Sequence, residues 1–210
     1  LSKRGTSYGG WTVPADINLH QDSVVYSAGV GEDISFDLEL LSEYHCNVLL
    51  IDPTPRALVH FKEIKSFYSS KTWKFTGGIQ KDYKRHIENL TVDFSKIEYI
   101  KKALWDKEES LKFYEPPNKN WVSCSLIPRM GGASYYTVNA ISIRELMSRQ
   151  GDDHIDLLKL DIEGAELRVL NSMLDDSIYP TYICAEFDLK IKGKDREGLT
   201  EPTIQRLEQE

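Results

Sequence analysis

The sequence predicts an α/β protein built on a mainly parallel, open sheet flanked by helices. Three observations carry that prediction. A strand, a glycine turn and an amphipathic helix succeed one another over residues 24–41, an apolar run closed by an acid follows at 47–52, and a further strand-to-helix succession covers 155–174. Strands that alternate with helices imply parallel pairing through right-handed crossovers. In such sheets a ligand sits beyond the C-terminal ends of the strands.

In the first unit, Val24, Val25 and Tyr26 are strong strand formers, and Ile34, Leu38 and Leu41 recur at helical spacing. Gly29 and Gly31 between them permit a sharp turn beside a ligand. A dinucleotide fingerprint would carry a further glycine where this chain has Ile34, and would leave the helix entry free for a pyrophosphate. Glu32 and Asp33 occupy that entry instead. Their charges suit the helix dipole and repel phosphate, so the loop matches a nucleoside that carries positive charge. S-adenosylmethionine, with its sulfonium and ammonium groups, is such a ligand. Taken alone, the glycine turn fits a tight connection without a ligand equally well.

The run NVLLID (47–52) reads as the second parallel strand. Asp52 stands ~20 residues beyond the glycine turn, where an acid closing the second strand can bond ribose hydroxyls. Pro53 and Pro55 end that strand and open a helix whose buried face is expected to carry Ala57, Leu58 and Phe61. Over 62–98 the signal is mixed: KTWKFTGGI reads as a short strand and turn, KDYKRHIENL as a helix. IEYIKKALWD (97–106) reads as the next core strand, and ESLKFYEP (109–116) as an exposed strand in a hairpin or meander. Residues 117–136, rich in Asn, Ser, Gly and Pro, read as a surface loop able to reach over the site, and VNAISIRELM as a short strand and helix.

In IDLLKLDIEGAELRVLNSML (155–174) a buried strand ends at Asp161, and Leu167, Leu170, Met173 and Leu174 form a helical stripe after Gly164. Asp161, Glu163 and Glu166 are thereby gathered at and just past a strand's C-terminal end. YICAEFD (182–188) repeats the arrangement with Glu186 and Asp188, and a charged, helix-like tail follows.

Composition sets the limits. A chain of 210 residues fits one domain, and 40% hydrophobic with 28% charged residues excludes disorder as the main state. No apolar run approaches the ~20 residues of a membrane helix, and the N-terminus has no signal-peptide core. A net charge of −7 argues against a nucleic-acid partner; the basic cluster KDYKRH reads as a solvated helix face. Cys46, Cys124 and Cys184 are widely spaced and outside any CxxC pattern, so they read as reduced thiols of a cytoplasmic protein. The five histidines form no HxH or HExxH pair, so no metal site is expected, and any metal would rest mainly on oxygen ligands.

Together VYSAGVGEDISFDLEL, IDPTP, KALWD followed by LKFYEP, and above all IDLLKLDIEGAELRVL resemble the FkbM family of S-adenosylmethionine-dependent methyltransferases, over roughly residues 8–188. The resemblance implies a Rossmann-like class I methyltransferase fold, S-adenosylmethionine as cofactor, and methyl transfer to a hydroxyl of a small molecule or sugar. It places Ser27, Ala28, Gly29 and Gly31 against the methionine part of the cofactor with Glu32 beside them, and Asp52 on the ribose. Ala103 and Leu104, at the end of the third core strand, would line the adenine, with Trp105 or Asp106 nearby. Asp161 would face methyl donor and acceptor with Glu163 behind it, and these two are the candidate catalytic bases, unless they only fix the cofactor's amine or cap the following helix.

Two departures stand out. Tyr26 and Ser27 lie where many relatives carry an acid for the cofactor's amino group, leaving Glu32 or Asp161 to supply that charge. After YICAEFD the closing antiparallel hairpin usual in the fold is lacking, so the sheet is expected to be abbreviated there or the sequence to omit a segment. The organisation expected is an N-terminal arm or lid over 1–20, with Tyr8 and Trp11 on the substrate side together with Glu186, a methyltransferase domain over 21–190, and a charged tail or incomplete closing segment over 191–210. Two rivals remain: a nicotinamide-dependent oxidoreductase, and a non-catalytic module that binds the same cofactor.

Overall fold

The computed structural model describes residues 1–115, 134–187, 190–191, 194–195 and 197–209. Two short strands, β1 (Ser2–Arg4) and β2 (Trp11–Val13), pair antiparallel and precede the first unit, β3 (Val24–Ala28) and α1 (Ser35–Tyr44). Next come β4 (Asn47–Ile51), α2 (Pro55–Ser70), α3 (Tyr83–Ile87) and β5 (Ile97–Ile100). Three strands, β6 (Ala103–Leu104), β7 (Ser110–Tyr114) and β8 (Tyr135–Ile141), lead to α4 (Ile143–Gln150). The last units are β9 (Leu157–Leu160), α5 (Glu166–Asp175) and β10 (Tyr182–Ala185), followed by β11 (Lys190–Ile191), β12 (Lys194–Asp195) and α6 (Glu197–Leu207).

Five of these strands form one sheet in the order β10-β9-β3-β4-β5, with every neighbouring pair parallel. Alternation along each strand divides the core in two. Val25, Val48, Leu50 and Leu157 face the layer of α1, α2 and α3, while Tyr26, Leu49, Ile51, Leu158 and Leu160 face α4 and α5. A sheet covered on both faces needs apolar residues at consecutive positions, which is why VVY, NVLLI and LLKL read as continuous runs. Tyr26 is fully buried, and its hydroxyl donates to Asp152 Oδ2 at 2.6 Å.

Several expectations are corrected. The run at 97–106 is not one core strand: β5 stops at Ile100, and β6 belongs to a separate three-stranded sheet ordered β6-β8-β7. The break falls at Lys101 and Lys102, whose charges would be costly to carry inward along a buried strand; Lys102 N turns back to Ile100 O at 2.9 Å. KTWKFTGGI contains no strand, because Trp73 and Phe75 pack as rings against Phe67, His60 and Tyr83 rather than pairing with a sheet edge. The helix in KDYKRHIENL is short, confined to α3. The buried stripe of α2 runs through Ala57, His60, Ile64 and Phe67; Leu58 and Phe61 lie beside it, half-buried, with Phe61 stacked on Tyr99. A histidine in the stripe disguised its period. In α5, Val169 joins Leu170, Met173 and Leu174 in the core, and Leu167 is only half-buried.

ESLKFYEP supplies β7, antiparallel to β8 as expected of a hairpin strand. Of the proposed loop, 117–133 lie outside the described residues, as do Cys124 and Asp188. Among the described residues no strand extends the main sheet beyond β10; β11 and β12 pair with each other. No described helix is long and apolar enough to cross a membrane.

Candidate active site

The site begins where β3 ends. Gly29 has φ 74° and donates its N–H to Ile51 O at 2.9 Å. A Cβ at Gly29 would overlap the carbonyl oxygen of Asp161, so only glycine lets the turn close onto the end of β9. Asp161 N in turn donates to Ala28 O at 3.1 Å. Gly31 differs: its φ is 52°, and a Cβ there would meet open space. Asp52, buried at the end of β4, accepts from Gly31 N at 3.1 Å and from Thr54 N at 2.8 Å. Its carboxylate thus joins the glycine turn to the capped start of α2, and burial raises its pKa.

A cleft of about 860 Å³ opens above these strand ends, a size typical of small-molecule sites. Gly29, Gly31, Glu32, Asp52, Ala103, Leu104, Asp161, Glu163, Tyr8, Trp11 and Glu186 all line it. Ala103 and Leu104 reach it from β6, outside the main sheet, and with Ile51 and Phe113 form its apolar end. Ser27 and Ala28 are not in the lining: both are fully buried, and Ser27 points beneath α1 toward Asp37. Trp105 and Asp106 are engaged elsewhere, Trp105 with Glu109 at 3.0 Å and Asp106 with Arg168 at 2.6 Å.

The acids have distinct surroundings. Glu32 is held by Arg56 through two hydrogen bonds, 3.1 and 2.7 Å, and accepts from Gly78 N at 3.2 Å. Asp33 accepts from Thr6 Oγ1 at 2.6 Å and Ser35 N at 2.9 Å. Both charges at the helix entry therefore already serve the protein's own donors. Glu166 is buried and accepts from Ile162 N at 2.9 Å and Gly164 N at 3.0 Å, so it shapes the turn that follows β9. Glu163 within that turn adopts φ 55°, an uncommon conformation for a side-chain-bearing residue. Asp161 has its pKa raised by burial, opposed by Lys159 and reinforced by Glu186 and Asp52. Tyr8, largely exposed at the rim, lies near the same acids; partial desolvation and then Asp161, Asp33, Glu163 and Glu186 raise its pKa.

The N-terminal arm is docked onto α1. Arg4 pairs with Glu39 and Glu43, Gly5 N donates to Glu39 Oε2 at 2.7 Å, and Thr6 N donates to Ser35 Oγ at 2.9 Å. A Cβ at Gly9 would overlap Asp33, so this glycine serves close packing. The arm brings Tyr8 and Trp11 to the rim of the cleft.

The principal lining residue that the sequence reading missed is Lys159. It is buried in β9, and its ammonium donates to Gly29 O at 2.8 Å and Ala28 O at 3.4 Å. A charged residue inside LLKL was the available signal. Among the described residues no group of His, Cys, Asp and Glu is arranged to hold a metal ion.

This parallel order, with an acid-rich cleft over the central strand ends, is a Rossmann-like methyltransferase fold. The family model for the methyltransferase FkbM domain matches residues 16–185, and the chain belongs to that family. Comparison with curated proteins and with solved structures returned no match.

Proposed function

We propose that the chain transfers a methyl group from S-adenosylmethionine to a hydroxyl of a small molecule or sugar. The observation that carries this reading is the composition of one cleft: Asp161, Glu163 and Glu186 gather around Tyr8, and Ile51, Ala103, Leu104 and Phe113 supply an apolar end. The residues fit the cofactor. The open space at Gly31 admits a ligand against the backbone, Asp52 stands beside it for a ribose, and the apolar end suits an adenine. Bound there, S-adenosylmethionine supplies an electrophilic methyl on a sulfonium.

The chain's part is to align the acceptor, exclude water and take up a proton. Holding reactants in line is worth ~7–11 kcal/mol of barrier. Asp161 is the proposed base, with Glu163 beside it, because burial brings its carboxyl closer to the affinity a proton acceptor needs near neutral pH. Tyr8 and Trp11 form the rim on the acceptor side. The unpaired thiols of Cys46 and Cys184 support a cytoplasmic setting.

Calorimetry with S-adenosylmethionine and with NAD tests the reading: binding of the former is expected, and tight binding of NAD alone would overturn it. Cofactor binding without turnover on any hydroxyl acceptor would leave a non-catalytic module. Asp161→Asn is expected to lower turnover at saturating cofactor by ~10²-fold or more; unchanged turnover would assign Asp161 to the cofactor instead.

A further inference from the structure

One charge in the cleft is left without a task by this reading. In register across the sheet, Leu50, Ser27, Lys159 and Cys184 stand side by side on the face covered by α1. Lys159 is therefore a buried cation in the middle of a parallel sheet, a position where a charge is expensive unless something answers it. An ammonium has three protons to donate. Gly29 O takes one at 2.8 Å and Ala28 O is within 3.4 Å, which puts the group directly under the glycine turn. The Trp11 ring lies 5.4 Å away and closes it from the arm side. Asp37, buried and with Oδ1 lacking a hydrogen-bond partner, interacts electrostatically with it.

Lys159 is the one cationic side chain among the described residues that line the cleft; the other ionisable groups there are acids and Tyr8, with Cys184 beside them. The methionine end of S-adenosylmethionine carries an ammonium and a carboxylate. Several acids can answer the first, and among the described side chains of the lining Lys159 is the cation placed to answer the second.

We propose that Lys159 is the anion subsite of the donor cleft, its ammonium receiving the α-carboxylate of the methionine moiety beneath Gly29 and behind Trp11. The assignment rests on the reading of S-adenosylmethionine as the donor. It gives the buried lysine two roles that reinforce each other: it holds the carbonyls of the glycine turn, and it makes the cleft selective for an amino-acid nucleoside over a simple nucleoside or a polyamine-like cation.

Calorimetry on the full chain with S-adenosylmethionine, its decarboxylated form and 5′-methylthioadenosine tests this. A cleft governed by its acids alone would prefer the decarboxylated ligand, which has greater net positive charge. With Lys159 acting as proposed, S-adenosylmethionine binds roughly 10–100-fold tighter than the decarboxylated form, the value of one charged hydrogen bond. In the double variant Asp37→Asn, Lys159→Met, which removes both buried charges, that preference is expected to vanish, with residual binding of 5′-methylthioadenosine reporting that the cleft is still formed. Equal or tighter binding of the decarboxylated ligand by the unaltered protein would overturn the proposal, whether or not the variant folds. Retained preference in a folded double variant would overturn it as well. Failure of all three nucleosides to bind the unaltered protein would instead overturn the donor reading on which it rests.

Discussion

At the scale of single residues, two glycines of one turn have different reasons to be glycine. Gly29 combines φ 74° with contact against the Asp161 carbonyl, so Gly29→Ala must displace the end of β9; a loss of about 2–5 kcal/mol and abolished donor binding are expected in denaturation and calorimetry. Gly31 has the left-handed backbone without the contact. Gly31→Ala should cost only about 1 kcal/mol in stability, so a larger-than-tenfold loss of donor affinity in that variant would report a ligand lying against the turn.

Two buried titratable residues give opposite pH dependences. Burial pushes Asp37 up to about 6, with Lys159 opposing, while the unfolded carboxyl titrates near 4. The folded chain thus holds a proton that the unfolded chain releases, and stability present below pH ~4 is lost as pH rises toward about 6. His60, pushed down to about 4 by burial, does the reverse: its contribution is complete above pH ~6.5 and is lost as pH falls toward about 4. Their opposition flattens the unaltered protein's profile. Asp37→Asn removes one limb, so its stability, followed by urea denaturation between pH 4 and 7, should rise with pH more steeply than that of the unaltered protein.

At the scale of elements, the turn after β9 explains the EGAE motif. Glu166 satisfies the N–H groups of Ile162 and Gly164 from within the first turn of α5 and so holds Glu163 in its left-handed conformation. Glu166→Ala removes both of these hydrogen bonds and should cost about 2–4 kcal/mol. Glu166→Gln, which keeps one acceptor, should recover part of that loss in thermal melts. The arm is likewise an element with a task. Removing residues before Pro14 takes away Tyr8 and Trp11 and bares Asp33 and Ser35; weaker donor binding is expected, and unchanged affinity would refute a role at the rim.

These elements also show what was legible locally. β3, α1, β4, β9 and α5 follow from apolar runs and helical periods, because each is buried against neighbours that any parallel sheet would provide. Residues 97–106 hold two short strands instead of one, since periodicity cannot tell a continuous apolar run from two short strands parted by a charged turn at Lys101 and Lys102. Trp73 and Phe75 look like strand residues, and what they do depends on the rings of α2 and α3 being there to receive them.

For the whole molecule, the decisive arrangement is the order β10-β9-β3-β4-β5. It sets the ends of β3, β4 and β9 side by side, so that the glycine turn, Asp52 and Asp161 share one cleft although they are far apart in the chain. The amino-acid sequence by itself determined the class of fold, the glycine turn, the acids at two strand ends and the family, because those signals are local: backbone freedom, period and the residue that closes a strand. Only the tertiary structure decided what each charge does. Glu32 is answered by Arg56, Asp33 by the arm, and Glu166 by its own turn, while Lys159 is left facing the cleft. Partnership between charges depends on which strands are neighbours and which face each side chain takes, and neither is written in the spacing of residues along a single segment.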